Sequence, residues 1–169
     1  AVETVCLYSE VPISEVETIS LDYQSRTSIG LLKLLLKDYW NLNPELKSTE
    51  SGFENNIRGK NAALVIGDRA FSMNKIYPYI YDLSFFWKEM TGLPFVFAVW
   101  VSNDNLSVNF RNLFNKALMQ GLESIEEALI NQDIKSLNCE NPRHYLKHKI
   151  SYDLDAKKLA AMELFLKSI

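Results

Sequence analysis

The sequence has few of the residues by which a disulfide framework or a metal holds a small domain together. Its 169 residues include two cysteines and two histidines. Cys6 and Cys139 lie far apart, so we expect two free thiols in a reducing compartment. His144 and His148 could share one helix face, but no cysteine or acidic cluster accompanies them at metal-ligand spacing. The sequence therefore predicts neither a disulfide nor a metal site.

Charge and hydropathy argue against two further classes of protein. The net charge is −3 and no run of basic residues occurs, so nucleic-acid binding is not expected. No apolar run approaches the roughly 20 residues that span a bilayer, so no membrane helix is expected. Glycine-rich phosphate loops, dinucleotide fingerprints and the Gly-x-Ser-x-Gly motif are missing as well. What is present is 47% hydrophobic residues, which is typical of a globular domain.

Strand and helix patterns alternate over the first hundred residues, and helical patterns follow one another afterwards. This order is typical of an α/β fold with a small parallel or mixed sheet, covered by helices, and a helical tail. The predicted strands are Thr4–Ser9, Val16–Leu21, Ala62–Ile66, Tyr79–Leu83 and Phe95–Val101, with a short extended stretch at 46–48. The predicted helices are Ser25–Trp40, Phe85–Thr91, Val108–Gly121, Ile125–Asn131, a stretch after Pro142, and Asp155–Ile169.

The segment from Ser25 to Ser28 is the first candidate site. It follows a predicted strand and begins a predicted helix, with Ser25 as N-cap. Amide groups of a first helical turn bind anions, Arg26 adds a full charge, and Thr27 and Ser28 add hydroxyl donors. Open α/β sheets bind ligands beyond the carboxyl ends of their strands, so we predict a carboxylate or phosphate site here. The alternative is that Ser25 only caps the helix and that Thr27 and Ser28 are solvated.

Gly67 and Asp68 form the second candidate, directly after a continuous apolar run that predicts a strand buried on both faces. The glycine allows a tight turn or a close backbone approach. The carboxylate of Asp68 could accept a hydrogen bond from a substrate hydroxyl at the same edge of the sheet. The alternative is that Asp68 only caps a helix that begins near Arg69. If the two strands before these candidates run parallel, Thr4, Ser25–Ser28 and Asp68 should meet on one concave edge.

Four segments of the chain match a known family in order and spacing. They are Val5–Pro12, Ser25–Ser28, Ala63–Asp68 and Tyr81–Trp100. Together they resemble the chorismate dehydratase family of the futalosine route to menaquinone. The resemblance implies a fold like the type 2 periplasmic binding proteins, in which two α/β lobes close on a ligand, used here in the cytoplasm as an enzyme.

The resemblance also implies a division of the chain. Residues 1–101 would be the second lobe, bounded by Thr4–Ser9 and Phe95–Val101 as hinge strands. Residues 102–169 would be helices that pack on a first lobe, which this chain lacks. We therefore expect the chain alone to be inactive, and its uncovered helices to favour self-association.

The implied reaction is the dehydration of chorismate to 3-[(1-carboxyvinyl)oxy]benzoate by a hydro-lyase that needs no metal or redox cofactor. Ser25–Ser28 would hold a carboxylate. Thr4, where family members often carry serine, and Asp68 would position the ring or its leaving hydroxyl, and Phe95 or Phe97 would close the wall. The sequence identifies no catalytic residue: either the missing lobe supplies the general base or the substrate's own carboxylate serves. Two alternatives stay open: a non-catalytic carboxylate binder of the same fold, and a later enzyme of the futalosine route.

Overall fold

The computed structural model describes residues 2–73, 76–131 and 139–169. The chain forms two compact units, Ala1–Phe97 with Tyr152–Ile169, and Ala98–Ser151. The first unit contains β1 (Val5–Ser9), β2 (Thr18–Leu21), α1 (Arg26–Asp38), β3 (Glu45–Ser48), β4 (Asn61–Ile66), α2 (Arg69–Met73), β5 (Tyr79–Asp82), α3 (Leu83–Thr91) and, near the end of the chain, a helix at Ala156–Ser168, with short 3-10 turns at Ile13–Glu15 and Phe53–Asn56. The second contains α4 (Val108–Glu123), α5 (Ile125–Asn131) and α6 (Pro142–His144), which continues into a π-helical turn at Tyr145–Lys149. The helix at Ala156–Ser168 is α7.

The first unit is built on one mixed sheet with the strand order β3-β2-β4-β1-β5. Strand β2 runs parallel to β3 and to β4, and β1 runs antiparallel to β4 and to β5. Four strands therefore point the same way, and their carboxyl ends share one edge with the beginning of β1. The predicted α/β class with a mixed sheet is confirmed.

Alternate residues of the central strands serve opposite faces of the sheet. Leu7 and Leu64 belong to an apolar cluster under α1 and α3, whereas Cys6 and Val65 belong to a second cluster with α2. All four side chains are nearly or fully buried. This explains the continuous apolar run of β4, which the sequence predicted to be buried on both faces.

Helix α1 covers the first of these faces with its leucines, and α7 packs against it. A Cβ added at Gly30 of α1 would lie 3.3 Å from a ring carbon of Phe165 in α7, so the absence of a side chain allows the close approach. Phe165 also contacts Trp87 of α3, with ring centroids 6.0 Å apart. The last helix therefore contributes to the core of the first unit.

One predicted element is wrong. Residues 95–101, predicted as a strand, lie outside the sheet, which consists of five strands in the described part of the chain. An apolar aromatic run predicts burial as much as it predicts a strand, and only the first part of this run is packed: residues 95–97 are half-buried, whereas residues 98–101 are exposed. Phe95 and Phe97 pack against the core, and Phe95 lies 5.4 Å from Trp87 and 4.9 Å from Phe165 between ring centroids.

A search of the described residues for a helix long and apolar enough to cross a membrane found none.

Candidate functional site

The loops that carry the candidate residues meet at the carboxyl edge of the sheet. Strands β2 and β4 are parallel neighbours, so the start of α1 and the Gly67–Asp68 turn follow adjacent strand ends. The backbone N–H of Gly67 donates to the carbonyl of Thr4 at 2.9 Å, which brings the residue before β1 to the same turn. The topology thus places Thr4, Ser25–Ser28, Gly67 and Asp68 along one edge.

The start of α1 is closed by hydroxyl groups rather than by a charged side chain. The Oγ of Ser25 accepts from the backbone N–H of Ser28 at 3.1 Å and donates to the Oγ of Ser28 at 2.9 Å. Ser28 is buried, Thr27 is half-buried and Arg26 is exposed. The predicted N-cap is confirmed, and the alternative in which Ser28 is merely solvated is wrong because its hydroxyl is enclosed and bonded. The positive charge at the helix start is the exposed guanidinium of Arg26.

The turn after β4 requires a glycine for its backbone conformation. Gly67 has a φ of +68°, a region that side chains with a Cβ rarely adopt. Nothing lies within 4 Å of the place where its Cβ would be, so conformation rather than space selects glycine. Asp68 is exposed and directly precedes α2, whose first turn is closed by the N–H of Phe71 donating to the Asp68 carbonyl at 3.2 Å.

Thr4 is held at the edge by an acidic side chain that the sequence analysis did not single out. Thr4 is buried, and the residue before it, Glu3, has a φ of +62°. The N–H of Glu3 donates to Oδ2 of Asp82 at 2.7 Å, and Oδ1 of Asp82 accepts from the N–H of Phe85 at 3.1 Å. Asp82 therefore joins the segment before β1 to the start of α3.

An open groove of about 330 Å³ adjoins the same edge beyond β3. The residues that line it include several hydroxyl side chains and the ring of Phe53. One of them, Thr49, donates from its Oγ1 to the carbonyl of Leu21 at 2.5 Å, at the end of β2. The groove lies beside the loop that leads to α1, and the hydroxyl-rich stretch at 48–51 is the signal that could have indicated it.

Comparisons with known proteins decide the family. A family model described as menaquinone biosynthesis matches residues 1–169, the whole chain. The chain belongs to this family. A chorismate dehydratase of Thermus thermophilus is 33% identical over 116 residues, a match that covers 59% of this chain and 42% of that protein. The resemblance to chorismate dehydratases is thereby confirmed, although the match spans less than half the length of that relative.

In this member of the menaquinone biosynthesis family, sequence reasoning missed an ion pair under the candidate site. Asp22, wholly buried at the end of β2, lies 2.6 Å from Nη2 of Arg69 through its Oδ2. The two residues are distant in sequence, and only the parallel pairing of β2 with β4 makes them neighbours. A signal was present, since Asp22 lies between the end of β2 and the candidate segment Ser25–Ser28, and Arg69 directly follows the Gly67–Asp68 turn.

Phe95 lies in an aromatic cluster with Trp87, Phe97 and Phe165. Its expected place in the wall of a ligand site stays a prediction.

Two titratable side chains of β1, Cys6 and Tyr8, are buried on the face of the sheet that α2 covers. Burial, with a smaller contribution from the nearby charge of Asp82, raises the pKa of the Cys6 thiol to about 12. Burial also raises the pKa of Tyr8, whose hydroxyl donates to the carbonyl of Ala70 at 3.2 Å. Both groups are therefore protonated at neutral pH and neither is a ready nucleophile or base. In residues 2–73, 76–131 and 139–169, no three His, Cys, Asp or Glu side chains are grouped to hold a metal.

Proposed function

We propose that this chain is part of a hydro-lyase that dehydrates chorismate to 3-[(1-carboxyvinyl)oxy]benzoate in menaquinone biosynthesis. The observation that carries the proposal is the placement of the hydroxyl-capped start of α1 beside the Gly67–Asp68 turn. The likeness to a chorismate dehydratase supports the same substrate.

The substrate carries carboxylates that need fixed positive partners. We assign one of them to the first turn of α1, where the exposed guanidinium of Arg26 and the amide groups before the first intrahelical bond form the anion-binding end. The hydroxyl of Thr27, half-buried beside them, is a further donor. The cap at Ser25 is neutral, so it does not offset the positive end of the helix.

The remaining candidate residues at this edge of the sheet are assigned to the ring of chorismate. Asp68, exposed at the turn, accepts a hydrogen bond from a ring hydroxyl, while Gly67 lets the backbone come close. Thr4 positions the ring from the side of β1, and Phe95 contributes to the wall. In the reaction one ring C–H bond and the neighbouring C–OH bond break, a proton and a hydroxide leave as water, and the ring becomes aromatic. We assign the general base to no residue of this chain; either the rest of the protein or the substrate's own carboxylate takes the proton.

We also propose that the complete enzyme is a cytoplasmic, two-lobed protein like the type 2 periplasmic binding proteins. Residues 1–101 are assigned to the second lobe, to which α7 also contributes through Phe165, and the helices of residues 102–151 are assigned to packing on the first lobe. All sixteen residues of α4 are exposed or half-buried, and Phe110, Leu113 and Met119 are each at least 50% exposed. Such a face favours association with another apolar surface. On this proposal the chain alone is inactive and prone to self-association.

The test is turnover and binding with the full-length protein. We expect chorismate to yield an aromatic product that is seen by its ultraviolet absorption. The variant Arg26→Ala should weaken chorismate binding by roughly tenfold to a hundredfold in calorimetric titration, because a hydrogen bond to a charged group contributes about 1.5–3 kcal/mol. Lys33→Ala, which removes the same charge from an exposed position further along α1, is the control and should bind chorismate as the wild type does.

The outcomes separate the candidate functions. Tight binding without an aromatic product would favour a non-catalytic carboxylate binder of the same fold. Turnover of a futalosine-derived compound in place of chorismate would favour a later enzyme of the route. If Arg26→Ala and Lys33→Ala bind chorismate with equal affinity, the start of α1 is not the anion site.

A further inference from the structure

The carboxylate of Asp22 continues the pairing of β2 with β4 beyond the point where the backbone ladder ends. The register between the two strands runs from Thr18 opposite Asn61 to Ser20 opposite Ala63. Past this point Oδ2 of Asp22 accepts from the backbone N–H of Ile66 at 3.0 Å. Its Oδ1 accepts from the N–H of Gln24 at 3.0 Å, which shapes the turn that leads to α1.

Arg69 completes this arrangement from the other loop. It is the first residue of α2 and follows the Gly67–Asp68 turn. Its Nη2 donates to Oδ2 of Asp22 at 2.6 Å and to Oε1 of Gln24 at 3.0 Å. The guanidinium carbon lies 5.6 Å from the ring centroids of both Tyr23 and Phe53. Arg69 thus contacts side chains of the loop before α1 and of the turn beyond β3.

We propose that the Asp22–Arg69 ion pair is the positioning element of the candidate site, and that it fixes the start of α1 relative to the Gly67–Asp68 turn. We assign Asp22 and Arg69 as positioning residues, because the Asp22 carboxylate is wholly buried against Arg69, whose guanidinium is also 3.7 Å from the carboxylate of Glu54. The claim that this geometry serves chorismate rests on the function proposed above. The claim that the pair holds the two loops together rests only on the contacts named here.

The geometry favours a positioning role over a contribution to stability alone. The buried carboxylate has donors from the end of β4, from its own turn and from Arg69, so it joins both loops through one group. A planar guanidinium can bond to Asp22 and Gln24 while stacking on aromatic rings, and an ammonium group cannot reproduce that combination. In an enzyme that must hold its substrate in one geometry, a misplacement of about 1 Å can cost about a hundredfold in rate.

The first test is amide hydrogen exchange on the ligand-free full-length protein. We expect Arg69→Gln to speed exchange at Gln24, Ser28 and Ile66 by about tenfold or more, while Leu7 in the middle of β1 stays protected. Arg58→Gln, the same substitution at an exposed residue near the opposite end of β4, is the control and should leave these amides unchanged. A uniform loss of protection that includes Leu7 would show general destabilisation and would overturn the positioning role.

The second test is chorismate binding by calorimetry. If a variant is partly unfolded, the titration gives fewer binding sites per protein molecule. If a loop is displaced, the number of sites is unchanged and the dissociation constant rises. We expect Arg69→Gln to raise the constant by roughly tenfold to a hundredfold at full stoichiometry, and Arg69→Lys to restore part of the affinity. Unchanged affinity in Arg69→Gln, with a wild type that binds chorismate, would overturn the role in the site. A wild type that does not bind chorismate would count against the proposed function instead, and the exchange experiment would still decide whether the pair holds the loops.

Discussion

Two helices begin at the same edge of the sheet and close their first turns with different chemistry. Helix α1 follows β2 and is capped by the neutral hydroxyl of Ser25, with Arg26 next to it. Helix α3 follows β5 and is capped by the carboxylate of Asp82. The positive end of α3 is therefore matched by a charge of the protein itself, whereas that of α1 carries a second positive charge. The difference teaches that the neutral cap leaves the positive end of α1 open to an external anion, as the proposed function requires, whereas the cap of α3 already supplies an anion.

The substitution Ser25→Asp tests this comparison most directly, because it makes the start of α1 like the start of α3. Aspartate caps a helix as well as serine does, so the thermal stability should change little. The introduced carboxylate would repel the ligand's own, and we expect chorismate affinity to fall by about a hundredfold, the scale of one charged hydrogen bond lost and one repulsion gained. Calorimetric titration of the full-length protein measures this. Ser25→Thr, which keeps a neutral hydroxyl cap, is the control, and equal binding by both variants would contradict the comparison.

Removing the charged cap tests the other side of the comparison. Asp82 accepts from the N–H groups of Glu3 and Phe85, so Asp82→Ala loses a helix cap and the bond that holds the segment before β1. We expect the free energy of unfolding to fall by about 2 kcal/mol, measured by urea denaturation. Asp155→Ala removes the equivalent cap from α7, where Oδ1 accepts from the N–H of Lys158 at 2.9 Å. Because that cap is exposed and joins no second segment among the described residues, its loss should lower the free energy of unfolding less. An equal effect would show that Asp82 acts as a cap alone.

The sequence predicts the elements that depend on local patterns and misses the contacts that depend on topology. The cap at Ser25 and the strand before Gly67 follow from local residue types and from a continuous apolar run. The bonds of Asp82 to Glu3 and of Asp22 to Arg69 join residues far apart in the chain, so no short motif indicates them. Predicting these bonds requires the order of the strands in the sheet. The alternation of strands and helices in the sequence indicates a mixed sheet, but it does not specify which strands are neighbours.

The failed strand at residues 95–101 has a related cause. The apolar aromatic pattern of this segment is compatible with a strand and with an extended segment packed through its first rings. Which of the two forms depends on the residues elsewhere in the fold that the segment contacts. The Phe95 ring is surrounded by Trp87 of α3 and Phe165 of α7. The roles of the edge residues toward a ligand stay predictions, since position at an edge is compatible with both binding and capping.

The smallest expected effect concerns the charge of Asp82 and is measured through a neighbouring thiol. Burial is the main cause that raises the pKa of Cys6 from its ordinary value of 9.0 to about 12, and the charge of Asp82 is the next. Because the raised pKa belongs to the folded state, the stability that the neutral thiol contributes is fully present below pH 9 and is lost as the pH rises toward 12. Each pH unit in that window costs about 1.4 kcal/mol for one thiol.

The measurement is the free energy of unfolding at pH 8 and at pH 10. We expect the wild type and Cys139→Ala, the control at the other thiol, to lose about 1.4 kcal/mol more across this interval than Cys6→Ala does. In Asp82→Asn the thiol stays buried but its charged neighbour is gone; because burial is the larger cause, the extra loss between pH 8 and pH 10 should stay close to that of the wild type. If Asp82→Asn instead abolishes the extra loss, the carboxylate rather than burial controls Cys6. The charge at the start of α3 would then act further into the sheet than the comparison with α1 assumes.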